Sequence, residues 1–180
     1  MSSKAAASVP AWAQAVRKTS ALLGVVATGL ILLAIIVVCE MVFVRSVLGQ
    51  SSIWQTEFAT YAIVAATFLG APYILLTRGH VNVDLVPLMS GPRLRRVLYL
   101  LGSGVALVFC LAFLYASIPW WYDAWHENQT TSSMWAARLW VPYLAVPVGL
   151  AQLCLQYLTE MWLVVSRNEH PFGLAPEDRI

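Results

Sequence analysis

Apolar side chains fall into four long runs, at about 21–44, 55–77, 97–121 and 139–165, with polar residues gathered between them. Each run holds about 20 residues or more, the length at which a helix crosses roughly 30 Å of hydrocarbon. The pattern predicts an all-α membrane protein of four transmembrane helices, one domain over 1–180. Basic residues then orient it. Lys4, Arg17 and Lys18 precede the first run, Arg78, Arg93, Arg95 and Arg96 separate the second from the third, and Arg167 and Arg179 follow the fourth. The other two junctions hold only Arg45 and Arg138. Positive charge collects on the cytoplasmic side of a membrane, so both termini and the middle loop are expected inside.

Residues 1–16 are small and polar apart from Trp12 and Val16, and read as either a disordered segment or a short helix on the membrane surface. The outer loop Gly49-Gln50-Ser51-Ser52 is brief, which makes helices one and two antiparallel neighbours. Gly24 with Thr28, and Gly102 with Ala106, have the four-residue spacing of small side chains that lets helices approach closely. Ser90-Gly91-Pro92 forms a turn before the third helix, and Pro142 and Pro147 are expected to bend the fourth. The tail 167–180 reads as loose. Trp54, Trp120, Trp121, Trp125, Trp135 and Trp140 map to the outer helix ends, and Trp12 and Trp162 to the inner boundary. Indoles favour the headgroup region, so their placement agrees with the arginine pattern.

Composition narrows the function. With 59% hydrophobic and only 11% charged residues, the chain departs far from the roughly one-quarter charged content of soluble domains. Its net charge of +2 comes from residues at helix ends and does not point to nucleic acid. Cys39, Cys110 and Cys154 all lie in apolar runs and suit packing better than a disulfide or zinc site. The first run is too long for a secretory signal core and lacks a small-residue cleavage site, so it is expected to stay as an anchor. His80, His126 and His170 lie in loops, away from where haem ligands would be needed. No nucleophile triad, phosphate loop or metal spacing is present, so neither an enzyme nor a cofactor is expected.

Polar residues within the spans carry more information, because an ionisable group in the membrane is a functional candidate. Glu40 and Glu57 lie near outer helix ends, within reach of water, and Glu40 has Arg45 as a candidate partner. Gly149, Gln152, Gln156 and Glu160 recur at three- and four-residue intervals on one face of the fourth helix. Lipid would leave their amides unsatisfied. This face, and with it Tyr61 from the weaker line Glu57–Tyr61–Val64–Phe68, is expected to meet protein, either within the bundle or on a partner subunit.

The stretch Trp54-Gln55-Thr56-Glu57, Tyr61, Phe68-Leu69-Gly70-Ala71 and Arg78-Gly79-His80-Val81-Asn82-Val83-Asp84 closely resembles a family signature. That family is the small, DctQ-like membrane subunit of tripartite ATP-independent periplasmic (TRAP) transporters. Val146-Pro147-Val148-Gly149 resembles a second element of it. Thr56 and Thr60 depart from the acidic and basic residues common at those positions. In this pattern Gly70 suits a helix crossing, Gly79 a left-handed helix end, and Arg78 phosphate or terminal carbonyls. His80 and Asp84 stand where they can pair or meet a partner. The resemblance implies a multi-pass protein of the bacterial inner membrane that braces a large membrane subunit. That subunit carries an organic acid inward on a sodium gradient, delivered by a periplasmic binding protein. The implied partners are thus the large subunit in a heterodimer, the binding protein and membrane lipid. The alternative is a self-contained exporter that uses Glu57 to couple protons to drug export.

Overall fold

The structure is a computed structural model, which describes residues 10–49, 53–77 and 92–166. Four helices make up nearly all of it: α1 (Ala11–Val47), α2 (Trp54–Leu76), α3 (Pro92–His126) and α4 (Trp140–Val165). All four are long and apolar enough to cross a membrane. At 1.5 Å per residue, the 37 residues of α1 extend about 55 Å, well beyond a hydrocarbon core of about 30 Å. The excess lies at its start. Of the segment 1–16, expected to be either disordered or a short helix on the membrane surface, residues 11–16 continue directly into α1, as the alternating alanines at 11, 13 and 15 favour.

α2 packs on α1 and on α4, α3 packs chiefly on α4, and α1 meets α4 more narrowly. The α1–α2 seam is built from small residues. On α1, Ala13, Ser20, Ala27 and Ala34 are buried at intervals of seven, with Gly24 among them; Gly24 and Ala27 meet α2, whereas Ser20 bonds to α4. On α2, the buried set is Gln55, Ala59, Ala62, Ala66 and Gly70, with Pro72. A seven-residue recurrence keeps one seam facing its neighbour when helices cross at a small left-handed angle. A Cβ on Gly70 would stand 3.2 Å from the Ala27 Cβ, and one on Gly24 would lie 2.8 Å from the Tyr73 Cβ.

The small-residue expectations therefore hold in part. Gly24 is in the seam, but Ala27 accompanies it rather than Thr28, which is exposed and bonds back to the Gly24 carbonyl at 2.9 Å. A Cβ on Gly102 would meet nothing within 4 Å, and Gly102 is exposed. The buried face of α3 is instead Cys110, Ser117 and Ala124, again seven apart, together with Arg95. Pro142 falls in the first turn of α4, where backbone N–H groups have no helical partner and a proline costs no bond. Pro147 lies in the helix body.

A bonded loop joins α3 to α4. Thr130 and Arg138 form an antiparallel bridge, the Thr131 N–H donates to the Ala137 carbonyl (3.0 Å), and the Leu139 N–H donates to that of Gln129 (3.0 Å). Asn128 and Ala136 turn the chain with φ of 48° and 47°. Aromatic rings gather at this end of the bundle. Trp54 meets Trp135 at 6.4 Å, Trp120 stacks on Tyr143 at 3.9 Å, and the Trp121 indole donates to the Trp140 carbonyl at 3.2 Å. Trp12 and Trp162 meet edge-on at 5.2 Å at the opposite end.

Candidate functional site

The polar face of α4 turns toward α1. Gln152 donates through Nε2 to the Val16 carbonyl (3.0 Å), Thr19 Oγ1 (2.7 Å) and Ser20 Oγ (3.0 Å), so two amide hydrogens are shared among three acceptors. Ser20 Oγ in turn donates to Gln156 Oε1 at 2.9 Å, and Gln156 Nε2 donates to Glu160 Oε1, also at 2.9 Å. Arg17 Nη2 closes the series as an ion pair with the same carboxylate oxygen at 3.2 Å. The bonds all run one way, from amide through hydroxyl and amide to a carboxylate that a guanidinium neutralises. Each step polarises the next in a low-dielectric setting.

Burial makes the geometry decisive. Ser20 and Gln156 are 0% exposed and Glu160 is 5% exposed. Gln156 and Glu160, candidates for facing a partner subunit, thus face α1 of their own chain, and Gln152 bonds to the same helix. The cause is local. Arg17, Thr19 and Ser20 supply the acceptors and the cation that these side chains need, so no outside partner is required. In the sequence Arg17 marks topology, and its position three residues before Ser20 is the available sign that α1 has a polar face of its own.

Gly149, on the same face of α4, meets α2. A Cβ there would lie 2.6 Å from the Phe68 carbonyl carbon and closer still to its oxygen. Pro72, four residues after Phe68, leaves that carbonyl without its usual helical donor. Proline has no N–H to bond the carbonyl at i−4, and its ring crowds that group. Only a hydrogen in the Cβ position of Gly149 leaves room for the freed oxygen. Phe68 also meets Phe113 of α3 at 6.0 Å.

At the other end, Gln55, 2% exposed, donates to Glu40 Oε2 at 2.8 Å. Glu57 is half-buried, and its Oε2 is buried with no hydrogen-bond partner among the described residues. Trp54 is exposed beside Trp135, and Tyr61 lines a groove bounded by α1, α2 and α4. Arg78, Gly79, His80 and Asp84 lie outside the described residues. No cluster of metal-ligating side chains occurs among the described residues. The arrangement joins helices; it gathers no reacting groups.

Comparison with known proteins gives the family. The model of the family described as "Tripartite ATP-independent periplasmic transporters, DctQ component" matches residues 34–167. Three C4-dicarboxylate TRAP transporter small permease proteins are similar. The Rhodobacter capsulatus protein is 27% identical over 68% of this chain and 54% of its own. Those of Vibrio cholerae and Pseudomonas aeruginosa are 21% and 24% identical, over 69% and 72% of this chain and 63% of each relative. The matched part thus spans a little over half of these relatives' length. No solved structure matches. A family match over most of the chain, on a bundle with four membrane-crossing helices, places it plainly: the chain belongs to the DctQ family of small TRAP transporter permease subunits, multi-pass proteins of the bacterial inner membrane.

Proposed function

We propose that this chain is the non-catalytic brace of a sodium-coupled TRAP transporter, holding the large membrane subunit in a heterodimer. An organic acid, delivered by a periplasmic binding protein, then crosses through the large subunit and not through this one. The carrying observation is that the polar groups buried between α1 and α4 bond to one another, from Gln152 to Arg17. A substrate or ion path needs polar groups left available along the membrane depth. Meanwhile α3 leaves a broad apolar face open, with Val105 72%, Phe109 70% and Tyr115 80% exposed. Lipid and a membrane partner both suit such a face. In this reading Trp54, Gly70, Pro147 and Gly149 serve architecture, and Arg78, Gly79, His80 and Asp84 shape the cytoplasmic side.

Glu57 favours a second reading, the self-contained proton-coupled exporter, because one of its oxygens is buried with no partner among the described residues. Purification in mild detergent separates the two. The brace co-purifies with a much larger membrane protein, and vesicles containing this chain alone move no solute. A pure homo-oligomer that exports cations, with Glu57→Gln abolishing export, would establish the exporter instead.

A further inference from the structure

The contacts that tie α1 to α4 use residues 12–20 of α1 and 152–162 of α4. Beyond them, toward the α3–α4 loop, a groove of about 800 Å³ lies between the two helices with α2 as its floor. Phe58, Ala62, Ala65 and Leu69 form that floor on one face of α2, Leu30 and Val148 belong to the walls, and Trp135 and Arg138 stand at the mouth. From Phe58 to Leu69 is about 16 Å of helix, one leaflet of a hydrocarbon core about 30 Å thick. Among the described residues, Tyr61, Trp135 and Arg138 are the only lining side chains with a polar atom.

An occupant must therefore be apolar along its buried length and carry a counter-charge at one end. Arg138 is exposed and has no carboxylate partner among the described residues. Among the described residues Arg138 is the one charged side chain lining the groove, and an anionic headgroup complements it where an apolar helix face would not. We propose that the groove holds an acyl chain of an anionic phospholipid whose phosphate accepts hydrogen bonds from the Arg138 guanidinium. The bonded loop, with its left-handed turn at Ala136, holds Arg138 at the rim. Neither the transported substrate nor the side of the membrane enters this assignment.

The test uses the complete complex in native membranes, with a diazirine-bearing amino acid in place of Val148. As a control, the same group replaces Val105 on the open face of α3. Irradiation, purification and intact mass measurement then identify what was captured. The expected adduct at Val148 is a phospholipid, enriched in anionic headgroups relative to Val105. Arg138→Gln should lower that anionic enrichment about fivefold, the factor equivalent to about 1 kcal/mol for one basic residue at an anionic surface. Arg138→Lys should preserve most of it. A polypeptide adduct at Val148, no adduct above the Val105 level, or unchanged headgroup composition in Arg138→Gln would each overturn the proposal.

Discussion

Gly149 and Pro72 lie on different helices, yet the structure makes one depend on the other. Pro72 cannot donate to the Phe68 carbonyl, and Gly149 leaves room for that carbonyl on the facing helix. Gly149→Ala should therefore overpack the α2–α4 contact and cost about 1–3 kcal/mol. Pro72→Ala restores an N–H that draws the carbonyl back into its own helix. In the Gly149→Ala background it should recover part of the loss. Thermal unfolding in detergent of both single variants and the double variant checks this, and strict additivity would show that the two residues act separately. The family element Val146–Gly149 thus acquires a physical reason, a backbone approach that a larger residue obstructs.

Between elements, the polar chain from Gln152 to Arg17 clamps α1 to α4, and its worth can be measured. Membrane hydrogen bonds between helices average about 0.6 kcal/mol and reach about 1.7. Ser20→Ala and Gln156→Leu each remove one bonded partner and strand the other in a dry site, which raises the cost of each single change. Together they strand less. The double variant should be less destabilised than the sum, with a coupling of about 1 kcal/mol in a double-mutant cycle. A coupling near zero would mean the bond contributes nothing net.

The same clamp shows what the sequence reveals. Four helices were legible, because the apolar runs reach membrane length. The face of α4 was legible too, because glutamines in such a run contrast with everything near them. Its neighbour was not, since Arg17 and Ser20 lie where the chain is already polar. The seams of α1 and α3 were hidden for another reason. Lipid is as apolar as a protein core, so hydrophobicity does not separate inside from outside. Size does, and the small residues at 13, 20, 27 and 34, and at 110, 117 and 124, carried that signal. The spacing of Gly102 and Ala106 has the same form, but Gly102 is exposed while Ala106 is half-buried, so the pair forms no buried seam.

Across the whole molecule, the two ends are built differently, and this bears on orientation. Trp12 touches Trp162, and Arg17 pairs with Glu160, so the start of α1 and the end of α4 lie at one end of the bundle. Only two orientations remain. Of the seven basic residues among the described ones, Arg17, Lys18, Arg93, Arg95 and Arg96 belong to helix starts at that end, and only Arg45 and Arg138 to the other. The positive-inside bias acts on such short junctions, so the clamped end should face the cytoplasm and the α3–α4 loop the periplasm. A reporter active only in the cytoplasm should be active when fused at Met1 or after Ile180, and silent when inserted in the loop at Met134, which is 95% exposed. Activity at the loop and silence at both ends would invert the molecule. It would also place the Arg138 groove in the opposite leaflet, leaving its predicted occupant unchanged.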